Sequence, residues 1–192
     1  ESTETTHYSV VDAEGHAVAV TYTLNGGYGS GVTPAGVGFL LNNEMDDFAA
    51  KPGVPNMYGL IQGERNAIEP RKRPLSSMTP TIVLKDGKLY LVLGSPGGPR
   101  IISTVLQVLI NVLDFGMNLQ EAVDWPRLHH QWLPDRLLME PGFSPDTVAL
   151  LEGRGHQVER VRSMGEVAAI LVAQGHLQGA ADSRTEGKAA GY

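Results

Sequence analysis

A chain of 192 residues is long enough to bury one substantial core, and 42% hydrophobic with 19% charged residues excludes an intrinsically disordered protein. The absence of cysteine excludes disulfides, thiolate catalysis and Cys-ligated zinc, and the formal charge of −6 comes with no basic stripe for nucleic acid. No run approaches the roughly 18 apolar residues of a spanning helix.

The first expected element is a hairpin. Residues 8–11 and 16–22 are rich in Val, Thr and Tyr and flank the turn-like Asp12-Ala-Glu-Gly15. The glycine-rich run 25–31 reads as a loop, since so many glycines make either regular element costly. It lacks the lysine of a phosphate loop. Residues 37–41 are expected to form a short buried strand, and 42–73 are irregular, broken by Pro52-Gly53, Pro55 and Gly59.

A second hairpin spans 81–85 and 88–93 around Asp86-Gly87, the pair favoured in a two-residue type I′ turn. After Ser95-Pro-Gly-Gly-Pro-Arg100 the spacing predicts a helix over 101–115. It is apolar on so many sides that it is expected to be sandwiched. A short helix is expected at 119–124. Ser144-Pro145 opens another, as an N-cap followed by proline at the first helical position. Strands at 158–161, 167–173 and 176–180 close the chain. This order predicts one domain of antiparallel sheet packed with helices, an α+β fold.

No single residue type or spacing in these elements points to chemistry. Alone, Thr5 and Thr23 are β-formers, Ser76 and Ser77 are turn residues, and His129-His130 is a packing pair pointing opposite ways along a strand. Together with their neighbours they carry more. Thr5-Thr-His-Tyr-Ser-Val-Val-Asp12, Asn42-Asn-Glu-Met-Asp-Asp-Phe48, Arg73-Pro-Leu-Ser-Ser-Met78, Gly94-Ser-Pro-Gly-Gly98, His129-His-Gln-Trp132 and the closing Gly191-Tyr192 occur in the order found in γ-glutamyltransferases. Over essentially its whole length the chain resembles the small, C-terminal subunit of that family.

The resemblance implies the four-layer αββα sandwich of the N-terminal nucleophile hydrolases, of which this chain would supply the small-subunit half. Thr5 becomes the nucleophile once the precursor cuts itself before it. Residues 1–4 are then a remnant of the preceding segment, and 5–192 are the catalytic domain. While residues 1–4 stay attached, the nitrogen of Thr5 is an amide and not a base. Thr23 hydrogen-bonds the nucleophile, and the Gly97 and Gly98 amides form the oxyanion hole. Asn25, Glu44 and Asp47 meet the α-amino and α-carboxylate groups of a γ-glutamyl substrate, Ser76 and Ser77 meet the carboxylate, and Tyr58 closes the site as part of a lid, 52–59. Asp46 is read as a solvated loop charge. The resemblance implies no metal or organic cofactor.

The expected partners are the large subunit of the same precursor, which contributes an arginine, then glutathione or other γ-glutamyl donors, and amino acid or dipeptide acceptors. The implied location is periplasmic or extracellular. Two alternatives stay within the scaffold: a cephalosporin (glutaryl) acylase, whose acyl group has no α-amine, and a capsule-polymer transferase. A third is a catalytically silent binding relative.

Overall fold

In the computed structural model, which describes residues 5–173 and 175–191, a four-stranded antiparallel sheet carries the core. The fold begins with strands β1 (Thr6–Val11) and β2 (Ala17–Tyr22), paired antiparallel with Thr6 opposite Tyr22. Strands β3 (Thr81–Lys85) and β4 (Lys88–Gly94) form the expected second hairpin, and Asp86 and Gly87 both take the positive φ of its turn.

Helices α1 (Ile101–Leu113), α2 (Leu119–Asp124) and α3 (Pro145–Gly153) follow, with the short strands β5 (Leu128–His129) and β6 (Leu137–Met139) between the last two. Asn118 caps α2 by accepting the Glu121 N–H at 2.9 Å, and Ser144 caps α3 through the Asp146 N–H at 3.2 Å. Strands β7 (Val158–Arg160), β8 (Ala168–Ala173) and β9 (His176–Ala181) close the chain. The main sheet runs in the order β3-β4-β8-β9, and β5-β6-β7 form a small second sheet with β6 and β7 parallel.

Leu91 and Leu93 of β4, Ala169 and Leu171 of β8, and Val105, Val108 and Val112 of α1 share one buried cluster with Val123 of α2. The β1–β2 ribbon packs on β4 and β8 and so begins another β layer. Three of the expected four layers are therefore recognisable in this chain: helices, main sheet and ribbon.

Two expectations need correction. Residues 37–41 form no strand: Gly36 and Gly38 take positive φ, the segment turns at the surface, and Phe39 is 59% exposed. Helix α1 is not sandwiched within this chain. One face meets the sheet, while Ile102, Leu106 and Leu113 on the other stay about half exposed.

A buried ionic cluster ties the late elements together. The Arg127 side chain, 1% exposed, is paired with Asp182 at 2.6 Å, and Arg184 bridges Asp182 at 3.0 Å and Glu140 at 2.6 Å. Glu140 also accepts the backbone N–H of Arg127, and Asp182 that of Val167. Each charge thus gains partners for the water it loses on burial.

Candidate active site

Antiparallel pairing of Thr6 with Tyr22 brings the preceding Thr5 opposite the following Thr23. Thr5, 7% exposed, donates its hydroxyl to Thr23 Oγ1 at 3.1 Å. Thr23 Oγ1 also accepts the Asn25 N–H at 2.9 Å, a second donor that draws electron density from it. Asn25 holds a left-handed φ of 73°, which asparagine tolerates better than most residues.

The ribbon is fixed to the main sheet by His7. Ser9 gives its hydroxyl hydrogen to the Ala168 carbonyl at 3.1 Å, so it must accept from His7 Nε2, also at 3.1 Å. His7 Nδ1 is then the acceptor for the Thr21 hydroxyl at 2.8 Å, which defines one neutral tautomer. Burial agrees, holding the imidazole down to about 4. The ring lies where a Cβ on Gly94 would stand, so the close approach of the two layers depends on that glycine.

Loop 42–47 is tied through Asn43 to residues 24–26, just beyond Thr23. Its N–H donates to the Leu24 carbonyl at 3.1 Å, its Oδ1 accepts the Gly26 N–H at 2.8 Å, and its carbonyl accepts Asn25 Nδ2 at 3.2 Å. These bonds place the 3₁₀ turn Glu44–Asp47 beside Asn25. Glu44 is pushed up to about 7, by partial burial first and then by its hydrogen bond with Asp47 and the neighbouring charge. Asp47 is also raised, mainly by burial, with the Asp46 charge adding, while its hydrogen bond with Glu44 acts the other way. Both carboxyls are thus held above their ordinary range, and the pair offers a cation a site that desolvation has left short of positive charge.

Helix α1 begins from the opposite wall. Ser95 is fully buried, donates to the Pro96 carbonyl at 2.6 Å and accepts the Glu166 N–H at 2.9 Å, which pins the loop between β4 and α1. Gly97 and Gly98 follow with φ of 132° and 54°. Among the described residues neither N–H has a hydrogen-bond partner, so both can receive an anion. A φ of 132° is open essentially to glycine alone.

Thr5, Thr23, Asn25, Glu44, Asp47, Tyr58, Ser76, Ser77 and Gly98 line one cleft of about 380 Å³. Gly97 lines an adjoining cleft that shares Tyr58 and Gly98 with the first. The structure thus gathers nine of the ten residues singled out from the sequence into one concavity, with the tenth next door. The Tyr58 hydroxyl donates to the Asn25 carbonyl at 2.7 Å, and a Cβ on Gly98 would touch the Tyr58 ring at 3.4 Å. Ser76 accepts the Met78 N–H at 3.2 Å. Leu60, Met78, Pro99 and Ile101 complete the wall, and only their position in the fold identifies them.

His129 and His130 point apart as expected. His129 is 5% exposed between Ser103 at 2.7 Å and Gln131 at 3.0 Å, while His130 faces Asp135 at 3.0 Å. Asp46 is a correction: it is half-buried and accepts the Met57 N–H at 3.1 Å, so it is no free solvated charge. Pattern reading misses the cross-loop bonds of Asn43 and Asp46, because their partners lie on loops with no periodicity. The remnant proposed at 1–4 and the closing Tyr192 lie outside the described residues.

Comparison with known proteins agrees with this geometry. The sequence pattern of the Gamma-glutamyltranspeptidase family matches residues 1–192. A glutathione hydrolase proenzyme of Escherichia coli (strain K12) is 59% identical over 100% of this chain, which spans 33% of that relative's length. A gamma-glutamyltranspeptidase of Pseudomonas nitroreducens, solved with L-DON, is 46% identical with a TM-score of 0.91, covering 97% of this chain and 99% of that one. The T380A mutant enzyme of Helicobacter pylori gives 56% and 0.90, covering 94% and 100%. A cephalosporin acylase of Bacillus halodurans is more distant, at 28% identity and a TM-score of 0.84, covering 97% of this chain and 34% of that one. The expected N-terminal nucleophile hydrolase fold is the one these solved structures share, and the chain belongs to the gamma-glutamyltranspeptidase family.

Proposed function

We infer that this chain supplies the nucleophile and most of the donor pocket of a γ-glutamyltransferase and glutathione hydrolase. Cleavage of the bond before Thr5 frees an α-amine that titrates near 8, close enough to neutrality to act as base for the hydroxyl on the same residue. Thr5 Oγ1 then attacks the γ-carbonyl carbon of glutathione or another γ-glutamyl amide, and its proton passes to the amine. The developing oxyanion lies against the Gly97 and Gly98 amides. The C–N bond breaks, the leaving amine takes the proton, and a γ-glutamyl ester remains on Thr5. Water or the amine of an amino acid or dipeptide attacks that ester and restores the threonine.

The observation that carries this reading is the pairing, in one cleft, of the Thr5 hydroxyl with the Glu44–Asp47 acid pair. An α-ammonium group answers that pair by charge and hydrogen bonding. Ser76 and Ser77 line the same cleft, which supports the reading that their hydroxyls donate to the α-carboxylate. A glutaryl group has no ammonium, so the acid pair would face nothing, which disfavours the acylase reading.

The Escherichia coli relative is a proenzyme about three times as long as this chain, and the proposed large subunit corresponds to the part of it that this chain does not match. It would cover Tyr8, Val10 and Val18 on the ribbon and the open face of α1, all about half exposed. The test is release from γ-glutamyl and glutaryl anilides by the full-length, processed protein, alone and with Asp47→Asn. Preference of the unmutated enzyme for the glutaryl compound would refute the assignment.

A further inference from the structure

The turn Glu44–Asp47 holds three carboxylates that do not face the same way. Glu44 and Asp47 line the cleft with Thr5, whereas Asp46 lines a separate hollow behind it, with Phe48, Asn56, Leu60 and Gln62. That hollow lies under the 52–59 loop. Asp46 Oδ2 accepts the Met57 N–H at 3.1 Å, and the Asp46 carbonyl accepts Asn56 Nδ2 at 3.3 Å. Asn56 in turn collects the Tyr58 and Leu60 N–H groups on its Oδ1, each at 3.0 Å. The loop is therefore a preformed turn docked on the Glu44–Asp47 turn by two bonds, one of them to a side-chain carboxyl.

The docked loop fixes Tyr58. Its hydroxyl reaches the Asn25 carbonyl at 2.7 Å, and its ring lies over Gly98. Gln131 Nε2 also reaches the Tyr58 backbone carbonyl at 3.4 Å, a weaker hold. We propose that Asp46 is a positioning residue whose carboxylate, through Met57 and Asn56, seats Tyr58 over the nucleophile, so that one turn both receives the donor's ammonium and holds down the cover. The proposal rests on the reading of the cleft as a γ-glutamyl donor site.

Proteolysis tests it independently of that reading. Chymotrypsin cuts after Tyr58 only when the loop lifts, so the cutting rate of the full-length, processed protein reports the open fraction. Asp46→Ala removes the acceptor and is expected to raise that rate about tenfold, the scale of one lost charge-assisted hydrogen bond. Asp46→Asn keeps an oxygen for the Met57 N–H but removes the charge beside Asp47, and is expected to stay within about threefold of the parent.

In kinetics, Asp46→Ala is expected to raise the donor KM several-fold with a smaller change in kcat. A thermal midpoint within a few degrees of the parent excludes general unfolding as the cause. Equal cutting rates for parent and Asp46→Ala overturn the proposal, as does Asp46→Asn behaving like Asp46→Ala. If the protein turns over no γ-glutamyl donor yet the cutting rates separate as expected, the functional reading fails and the docking role stands.

Discussion

Replacing Glu44 by glutamine isolates the electrostatics of the donor pocket. Partial burial, helped by Asp47, pushes the Glu44 carboxyl up from an ordinary 4.5 to about 7. An arriving α-ammonium favours the ionised form and drives the proton off, so binding strengthens as pH rises toward 7. Were the bound carboxyl to return to its ordinary range, affinity would rise by nearly tenfold per unit below pH 7. Glu44 is only partly buried, and solvent screening reduces this to roughly fivefold to tenfold between pH 5.5 and 7.5. L-Glutamate, the hydrolysis product, is a suitable probe because its own groups titrate little in that window. Calorimetry on the processed enzyme, in buffers of different ionisation enthalpy, counts protons directly. The parent is expected to release between about half a proton and one at pH 6, and Glu44→Gln close to none, with a flat pH profile. An equal proton count from both proteins would refute the reading that the raised Glu44 carboxyl gives up its proton on binding.

Other expectations follow from the same geometry. Thr5→Ala in the full-length protein should abolish both turnover and the cut before residue 5, read by intact mass, while Thr23→Val should lower kcat by about a hundredfold by removing the acceptor that orients Thr5. Gly97→Ala forces a side chain onto a φ of 132° and should cost about 10²–10³ in kcat, with donor binding by equilibrium dialysis changed much less. Asp182→Ala strands Arg127 as a buried, unpaired charge and should cost about 3–5 kcal/mol, a drop of roughly 10 °C in thermal midpoint by calorimetry. His7 is depressed from 6.5 to about 4 by burial, so its contribution to stability is complete above pH 6.5 and is lost as pH falls toward 4. Urea unfolding at pH 7 and 4.5 should show that loss in the parent and less of it in His7→Gln.

Elements closed by local pattern were legible in the sequence. The β3–β4 hairpin followed from Asp86-Gly87, the α3 cap from Ser144-Pro145, and α1 from its helical spacing. The failure at 37–41 came from reading apolar residues as buried when Gly36 and Gly38 turn the chain outward. Strands β5 and β6 are two and three residues long, and β6 pairs in parallel with a strand some twenty positions on, so no local period announces them. In the site, the meeting of Thr5 and Thr23 was implied by the family resemblance alone: a hairpin closing from 11 to 16 sets Thr5 opposite Tyr22, one residue off the observed register. Asn25, Glu44, Asp47 and Tyr58 sit on loops, where only the family resemblance distinguished them from ordinary turn residues. Asp46 was misread because its partner is a backbone N–H eleven positions away, a contact that leaves no trace in residue types.

The imidazole of His7 behaves as a shim. Thr5, the proposed nucleophile, rides on one β layer and the Gly97 and Gly98 amides follow a strand of another, so in the proposed reaction sliding between the layers would spoil the line of attack. A ring wedged against Gly94, with both nitrogens committed to hydroxyls, fixes that gap at a set thickness. Because it stays uncharged above about pH 5, the alignment does not drift with the acidity of the surroundings, and pH dependence in catalysis is left to the amine and the acid pair.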